Sequence, residues 1–250
     1  GHSEMPANGL LPVTVPGAPA AWAALSKRFG KLDFAQLLAP AIQLAERGFA
    51  VSPVVSQLWQ QAERRYRQCE QPEFNHWFAH FAPAGHAPQP GESWRSPDMA
   101  RSLQRIADTR GEAFYRGELA DEMDAFSHQH GGFLRKQDLA DFTPEWVTPI
   151  SVRYRGHDIW EIPPNGSGMI ALQALGMLET LGNEPRNPAD ALHRRIEATK
   201  LAYVDGLHYI TEPAEMAASP EQMLSADYLP ARARLIGEHA LLPEHGNPIK

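Results

Sequence analysis

With 250 residues, 43% of them apolar and 21% charged, the chain can bury roughly 70–75% of its unfolded surface, and its composition is that of an ordered globular protein. The net charge of -7 argues against a nucleic-acid or anionic-membrane partner, because the longest basic pieces (Arg64-Arg65, Arg135-Lys136, Arg194-Arg195) are only dipeptides. The single cysteine, Cys69, excludes an intrachain disulfide and zinc sites built on paired cysteines, and no apolar run approaches the roughly 20 residues of a membrane span.

Ala18 to Phe29 reads as a short helix after the extended entry Val15-Pro16-Gly17, with Trp22, Leu25 and Phe29 as its apolar stripe. Asp33 and Gln36 have the spacing of a capping box, in which each side chain satisfies an orphan backbone N–H. The helix they open carries Leu37, Leu38, Ala41, Ile42 and Ala45, and Pro40 inside it predicts a kink or a break. Ser52-Pro53, an N-cap followed by proline at the first helical position, starts a helix through Val55, Leu58, Trp59, Ala62 and Tyr66. From Gln71 to Arg95 the periodicity fails, and the stretch reads as a long ordered loop. Ser96-Pro97 starts a helix through Met99, Leu103 and Ile106, and another follows Arg116-Gly117 through Leu119, Met123 and Phe126.

The texture changes at Trp146. Ile150, Val152 and Tyr154 alternate with polar residues, Gly156-His157 turns, and Ile159 to Ile162 runs apolar, which makes one β-hairpin. Pro163-Pro164-Asn165-Gly166-Ser167-Gly168 leads from it into a helix from Met169 to Leu181. Ala189 to Tyr209 reads as the longest helix, and Ser219-Pro220 and Ser225 mark two more starts. The tail from Gly237 is rich in His, Pro and Gly. The expected fold is mainly α with one β-hairpin. Residues 1–145 form a helical part, and residues 146–250, hairpin plus helices, pack with it as one domain.

Local motifs say little about chemistry. Ser167 lies between glycines on a strand-to-helix turn, but a nucleophile elbow needs glycines two positions to either side, where Asn165 and Met169 stand. The turn reads instead as backbone that bends freely and offers N–H groups at a helix N-terminus, able to line a pocket without doing chemistry. His76 and His80 are four apart but lack an HExxH context, and His128 and His130 fall at a helix end with no third ligand at suitable spacing. Neither pair makes a metal site.

Five stretches, taken in order, resemble the large subunit of the gamma-glutamyltranspeptidase family. Val15-Pro16-Gly17-Ala18 and the run from Phe34 through Leu38-Ala39-Pro40-Ala41-Ile42 to Gly48-Phe49 are similar to its "VPG…LLAPAI.LAE.GF" stretch. Gly111 to Ala120 resembles "G..AFY.GE.A", and Gly131-Gly132 with Asp138-Leu139-Ala140 resembles "GG….DLA.Y", with Phe142 where tyrosine is common. Arg155-Gly156, Pro163-Pro164 and Ser167-Gly168 resemble "YRG….PP.SSGG", and Glu197 to Asp205 resembles a late family helix. Asn165-Gly166 after the prolines is more similar to the branch that includes cephalosporin-acylase-like and other amidase members.

The resemblance implies the helical lobe of an αββα N-terminal-nucleophile hydrolase. It implies a precursor that cuts itself, freeing a threonine whose hydroxyl attacks an amide and whose own amine serves as base. That threonine is expected beyond Lys250 on the small subunit of the same precursor, and the arginine gripping the substrate carboxylate upstream of Gly1. No catalytic residue is therefore assigned within these 250 residues. Asn165, Gly166, Ser167 and Gly168 are the candidate substrate-pocket residues. The implied substrate is a small-molecule gamma-glutamyl or related amide, and neither a metal nor an organic cofactor is expected. A helical binding or scaffold module without catalysis is the alternative.

Overall fold

A computed structural model describes residues 3–182 and 185–249. Helix accounts for 54% of the chain, and among the described residues strands occur only as two small antiparallel pairs. The chain divides into two compact units, Gly1–Glu145 and Trp146–Lys250.

In the first unit, α1 (Ala18–Phe29) and α2 (Phe34–Arg47) are followed by α3 (Pro53–Tyr66), α4 (Asn75–Phe81), α5 (Pro97–Thr109), α6 (Glu112–Tyr115), α7 (Glu118–Gln129) and α8 (Lys136–Asp141). The capping signals act as their chemistry requires. Asp33 accepts from the Ala35 N–H while Gln36 accepts from the Asp33 N–H, and Ser52 Oγ accepts from the Val55 N–H. Pro40 does not break α2, which runs on to Arg47. The apolar face around Pro40 compensates for the missing donor: Ile42, Leu38 and Ala45 pack on Ala100, Leu103 and Ala107 of α5.

The stretch from Gln71 to Arg95 is not a loop throughout. It holds a 3-10 turn at Pro72–Phe74, the helix α4, and β2 (Ser93–Trp94), which pairs antiparallel with β1 (Phe49–Ala50). Aromatic stacking replaces periodicity here. Tyr66 meets Phe74 and Trp77, Trp77 meets Phe81, and Trp59 meets both Phe81 and Trp94 at ring separations of 5.0–5.9 Å. The apolar stripe of α1, formed by Trp22, Leu25 and Phe29, is exposed.

In the second unit, β3 (Ile150–Tyr154) and β4 (His157–Glu161) form the hairpin, with Tyr154 opposite His157. The turn is therefore Arg155-Gly156 rather than Gly156-His157. Both residues have positive φ, +48° and +82°, as a two-residue hairpin turn demands. Ile150, Val152 and Tyr154 lie on the more buried face, and β3 packs on α9 (Gly168–Thr180). Next come α10 (Pro188–Tyr209), α11 (Pro220–Met223) and α12 (Tyr228–Ala233).

Apolar on nearly every side, α9 buries Ile170, Ala174 and Met177 against Ala198, Leu201 and Ala202 of α10 and Leu229 and Ala233 of α12. A Cβ on Gly176 would come within 2.6 Å of Leu229 Cδ1, so that glycine sets how closely α9 and α12 approach. Leu201 is fully buried at the centre of this cluster. Leu201→Ala should cost about 2–5 kcal/mol in urea unfolding. A loss well under 1 kcal/mol would mean that the α9–α10 contact is not the core of the unit.

Candidate functional site

The Pro163–Gly168 turn connects β4 to α9. Pro164 is buried beneath it, while Asn165 and Ser167 are exposed. Ser167 is the N-cap of α9, but its side chain caps nothing, and α9 has no acidic residue in its first turn. Among the described residues Ser167 Oγ has no hydrogen-bond partner, so it lacks the adjacent base that an activated serine needs.

Two glycines of the turn behave differently. A Cβ at Gly166 would meet nothing within 4 Å, whereas one at Gly168 would come within 2.5 Å of Glu161 Oε2. The Glu161 carboxylate thus lies over the start of α9, where a helix N-terminus favours negative charge. Ser167 and Gly168 stand at one end of a groove of about 600 Å³ between α9 and α10, with Ala171, Leu175 and Tyr203 along its walls. Asn165 and Gly166 do not line that groove. Of the four residues singled out from the sequence, two share a cavity and two face open space.

His76 and His80 pack among other side chains rather than converging on one point. His76 meets the edge of Phe126, and His80 Nε2 is 3.2 Å from Ser96 Oγ with its ring against Phe81 and Trp94. Among the described residues no group of three His, Cys, Asp or Glu side chains could hold a metal ion.

A second constellation went unread in the sequence. Glu197 and Asp205 of α10 are 2% and 0% exposed, and both reach the tail that follows α12. Asp205 Oδ2 accepts from the Tyr228 hydroxyl (2.8 Å) and Arg232 Nε (3.1 Å), and Oδ1 accepts from Arg232 Nη2 (2.9 Å) and the Gly246 N–H (2.8 Å). The Tyr209 hydroxyl donates to the Gly246 carbonyl, and Arg232 Nη2 donates to that of Glu244. Glu197 accepts from the Leu241 N–H (3.0 Å) and pairs with the Lys200 ammonium (2.9 Å), which also donates to the Leu241 carbonyl. Burial pushes the Glu197 carboxyl up, but the Lys200 ammonium and the Leu241 N–H outweigh it and hold its pKa below the usual value. Desolvation, with Asp205 next to it, raises the Tyr228 phenol far above its usual value, so it stays a donor.

The signal for this site was present. Glu197, Leu201 and Asp205 recur every four residues, which sets two carboxylates on the same helix stripe as a buried leucine.

Architecture first: a mainly helical chain with one hairpin packed on a helix pair, carrying no self-contained nucleophile–base pair at its candidate turn. A gamma-glutamyltranspeptidase family model matches residues 1–249, and the chain belongs to that family. It is 30% identical, over its whole length, to the glutathione hydrolase-like YwrD proenzyme of Bacillus subtilis, of which it covers 47%. It is 33% identical to the acylase ACY 1 proenzyme of Pseudomonas sp. strain SE83, matching over 91% of this chain and 40% of that protein. The crystal structure of a cephalosporin acylase from Bacillus halodurans superposes with a TM-score of 0.90 at 50% identity, over 98% of this chain and 46% of that one. The chain spans less than half the length of these relatives.

The depressed Glu197 pKa carries a pH dependence. Its contribution to stability is fully present above the ordinary value of 4.5 and is lost as pH falls through the lower folded value. The stability difference between wild type and Glu197→Gln should be constant near neutrality and shrink only in acid. A difference that grows on acidification would contradict the assigned pairing.

Proposed function

We propose that this chain is the helical portion of a proenzyme that hydrolyses or transfers the acyl group of a gamma-glutamyl or related amide. The observation that carries the reading is the 50% identity and 0.90 TM-score to a cephalosporin acylase across 98% of the chain. Relatives named as glutathione hydrolase and acylase proenzymes support an acyl-transfer chemistry shared by both branches. The nucleophile belongs to a threonine-headed partner segment of the same precursor. The seven threonines here (Thr14, Thr109, Thr143, Thr148, Thr180, Thr199 and Thr211) all carry amide-bonded nitrogens and lack the free amine that would act as base.

The chain's surfaces fit a portion of a larger protein. Leu192, Ile196, Tyr203 and Leu207 of α10 are all exposed, as are Trp22, Leu25 and Phe29 of α1. In this reading the Asn165–Gly168 turn faces the substrate pocket. Gly166 has empty space where a side chain would project, and the α9 N-terminus lies beside it. An anionic substrate group there would share the helix N-terminus with the Glu161 carboxylate.

Two experiments test this. The purified 250-residue chain should release no product from a gamma-glutamyl anilide or an acylated cephalosporin, and co-expression with the remaining proenzyme segments should restore turnover. Release by the isolated chain, lost in Ser167→Ala, would favour a serine hydrolase instead. In the complete enzyme, Gly166→Val should leave stability within about 0.5 kcal/mol, because the new side chain meets nothing in this chain. It should nonetheless raise KM or lower kcat, and unchanged kinetics would remove the turn from the pocket.

A further inference from the structure

The segment from Gly237 to Pro248 has no helix or strand, yet it is fastened along α10. His193 Nε2 is 2.9 Å from the Gly237 carbonyl, Glu197 and Lys200 hold Leu241, Asp205 holds Gly246, and His208 stacks on His245 with ring centroids 3.6 Å apart. Partner numbers rise together, so the tail runs in the same direction as α10 for about four turns.

The fastening also fixes register to a single residue. A Cβ at Gly246 would overlap the Tyr228 hydroxyl and lie 2.9 Å from Arg232 Cδ, whereas one at Gly237 would meet nothing. Sliding the tail by one position would bring His245 or Asn247 into a seat that has no room for a side chain. Only Gly246 can occupy it.

We propose that this seat is the register device for self-cleavage of the proenzyme, with Asp205, Arg232, Tyr228 and Glu197 as positioning residues that present the downstream scissile peptide. The inference rests on the proposed reading that a threonine-headed segment follows the tail. In that cleavage the threonine hydroxyl oxygen attacks the preceding carbonyl carbon and the C–N bond breaks. The nitrogen takes up the hydroxyl proton, and water then hydrolyses the resulting ester to a carboxylate and a free threonine amine. An intramolecular attack of this kind depends on how often the reacting atoms meet in line. A tail without secondary structure of its own supplies that orientation only if side chains hold it. Once the chain is cut, the seat has no further step to serve.

The test uses the full-length precursor with Asp205→Asn and, separately, Gly246→Ala, following cleavage on denaturing gels with Tm measured alongside. Each folded variant should be cleaved about ten- to a hundredfold more slowly than wild type. The Asp205→Asn enzyme assembled from two chains expressed already cut, with threonine heading the second, should turn over a gamma-glutamyl anilide within about twofold of wild type. Cleavage at the wild-type rate in a folded variant would overturn the proposal. So would an equal loss of turnover in the pre-cut enzyme, which would make the seat a general structural element. If neither variant folds, Glu197→Gln, which removes the charge that pairs with Lys200 and accepts from Leu241, is read by the same two outcomes. A wild-type precursor that stays intact would overturn the proenzyme reading itself rather than the seat.

Discussion

A carboxylate with no exposure to solvent must find every hydrogen bond inside the protein, and Asp205 is such a group. Its four donors come from two segments outside α10: Tyr228 and Arg232 on α12, and the Gly246 backbone in the tail. Losing any one of them would leave a buried charge short of a partner, which costs far more than the bond itself contributes. This single requirement ties α10, α12 and the tail into one arrangement. It also explains why a segment with no secondary structure follows a defined course. Leu201 and Leu229 belong to the apolar cluster that surrounds this arrangement.

Several family-like stretches turn out to be one piece of packing. Tyr115 donates its hydroxyl to the Pro16 carbonyl at 2.7 Å and accepts from the Ala20 N–H, and Phe142 stacks on its ring. Leu139 and Val15 join the same cluster. A Cβ at Gly17 would lie 2.9 Å from Phe142 Cζ, so the glycine admits the ring. Three motifs spread along the sequence from Val15 to Phe142 are thus one core in the first unit. Phe142 keeps the aromatic surface of a tyrosine at that position, and the ring contact is what the packing uses.

Elements whose signal is local were legible in the sequence. Asp33 with Gln36, and Ser52 with Pro53, announce helix starts through backbone groups only a few residues away. The hairpin was legible for the same reason, although its turn was read one residue late: the positive φ falls on Arg155 as well as Gly156, and an arginine gives no warning of that. Features that depend on distant partners were not legible. Pro40 predicts a kink or a break, and no break occurs, because α2 packs along its length on the α5 face. The 71–95 stretch has no period because its order comes from rings contributed by α3, α4 and β2. Of the candidate turn, the position before α9 could be read, but the open space around Gly166 and the Glu161 carboxylate over Gly168 could not. The seat for Gly246 was hidden in a tail whose composition resembles a linker.

The central claim is that α10 holds the tail through its buried carboxylates. Amide hydrogen exchange at Leu241 and Gly246 in the assembled protein tests it most directly, because those two N–H groups donate to Glu197 and Asp205. The account predicts that both are protected to a degree comparable with the amides of α10, exchanging only when the helix itself opens. Exchange at the rate of an unstructured peptide, with α10 still protected, would show that the tail is not seated.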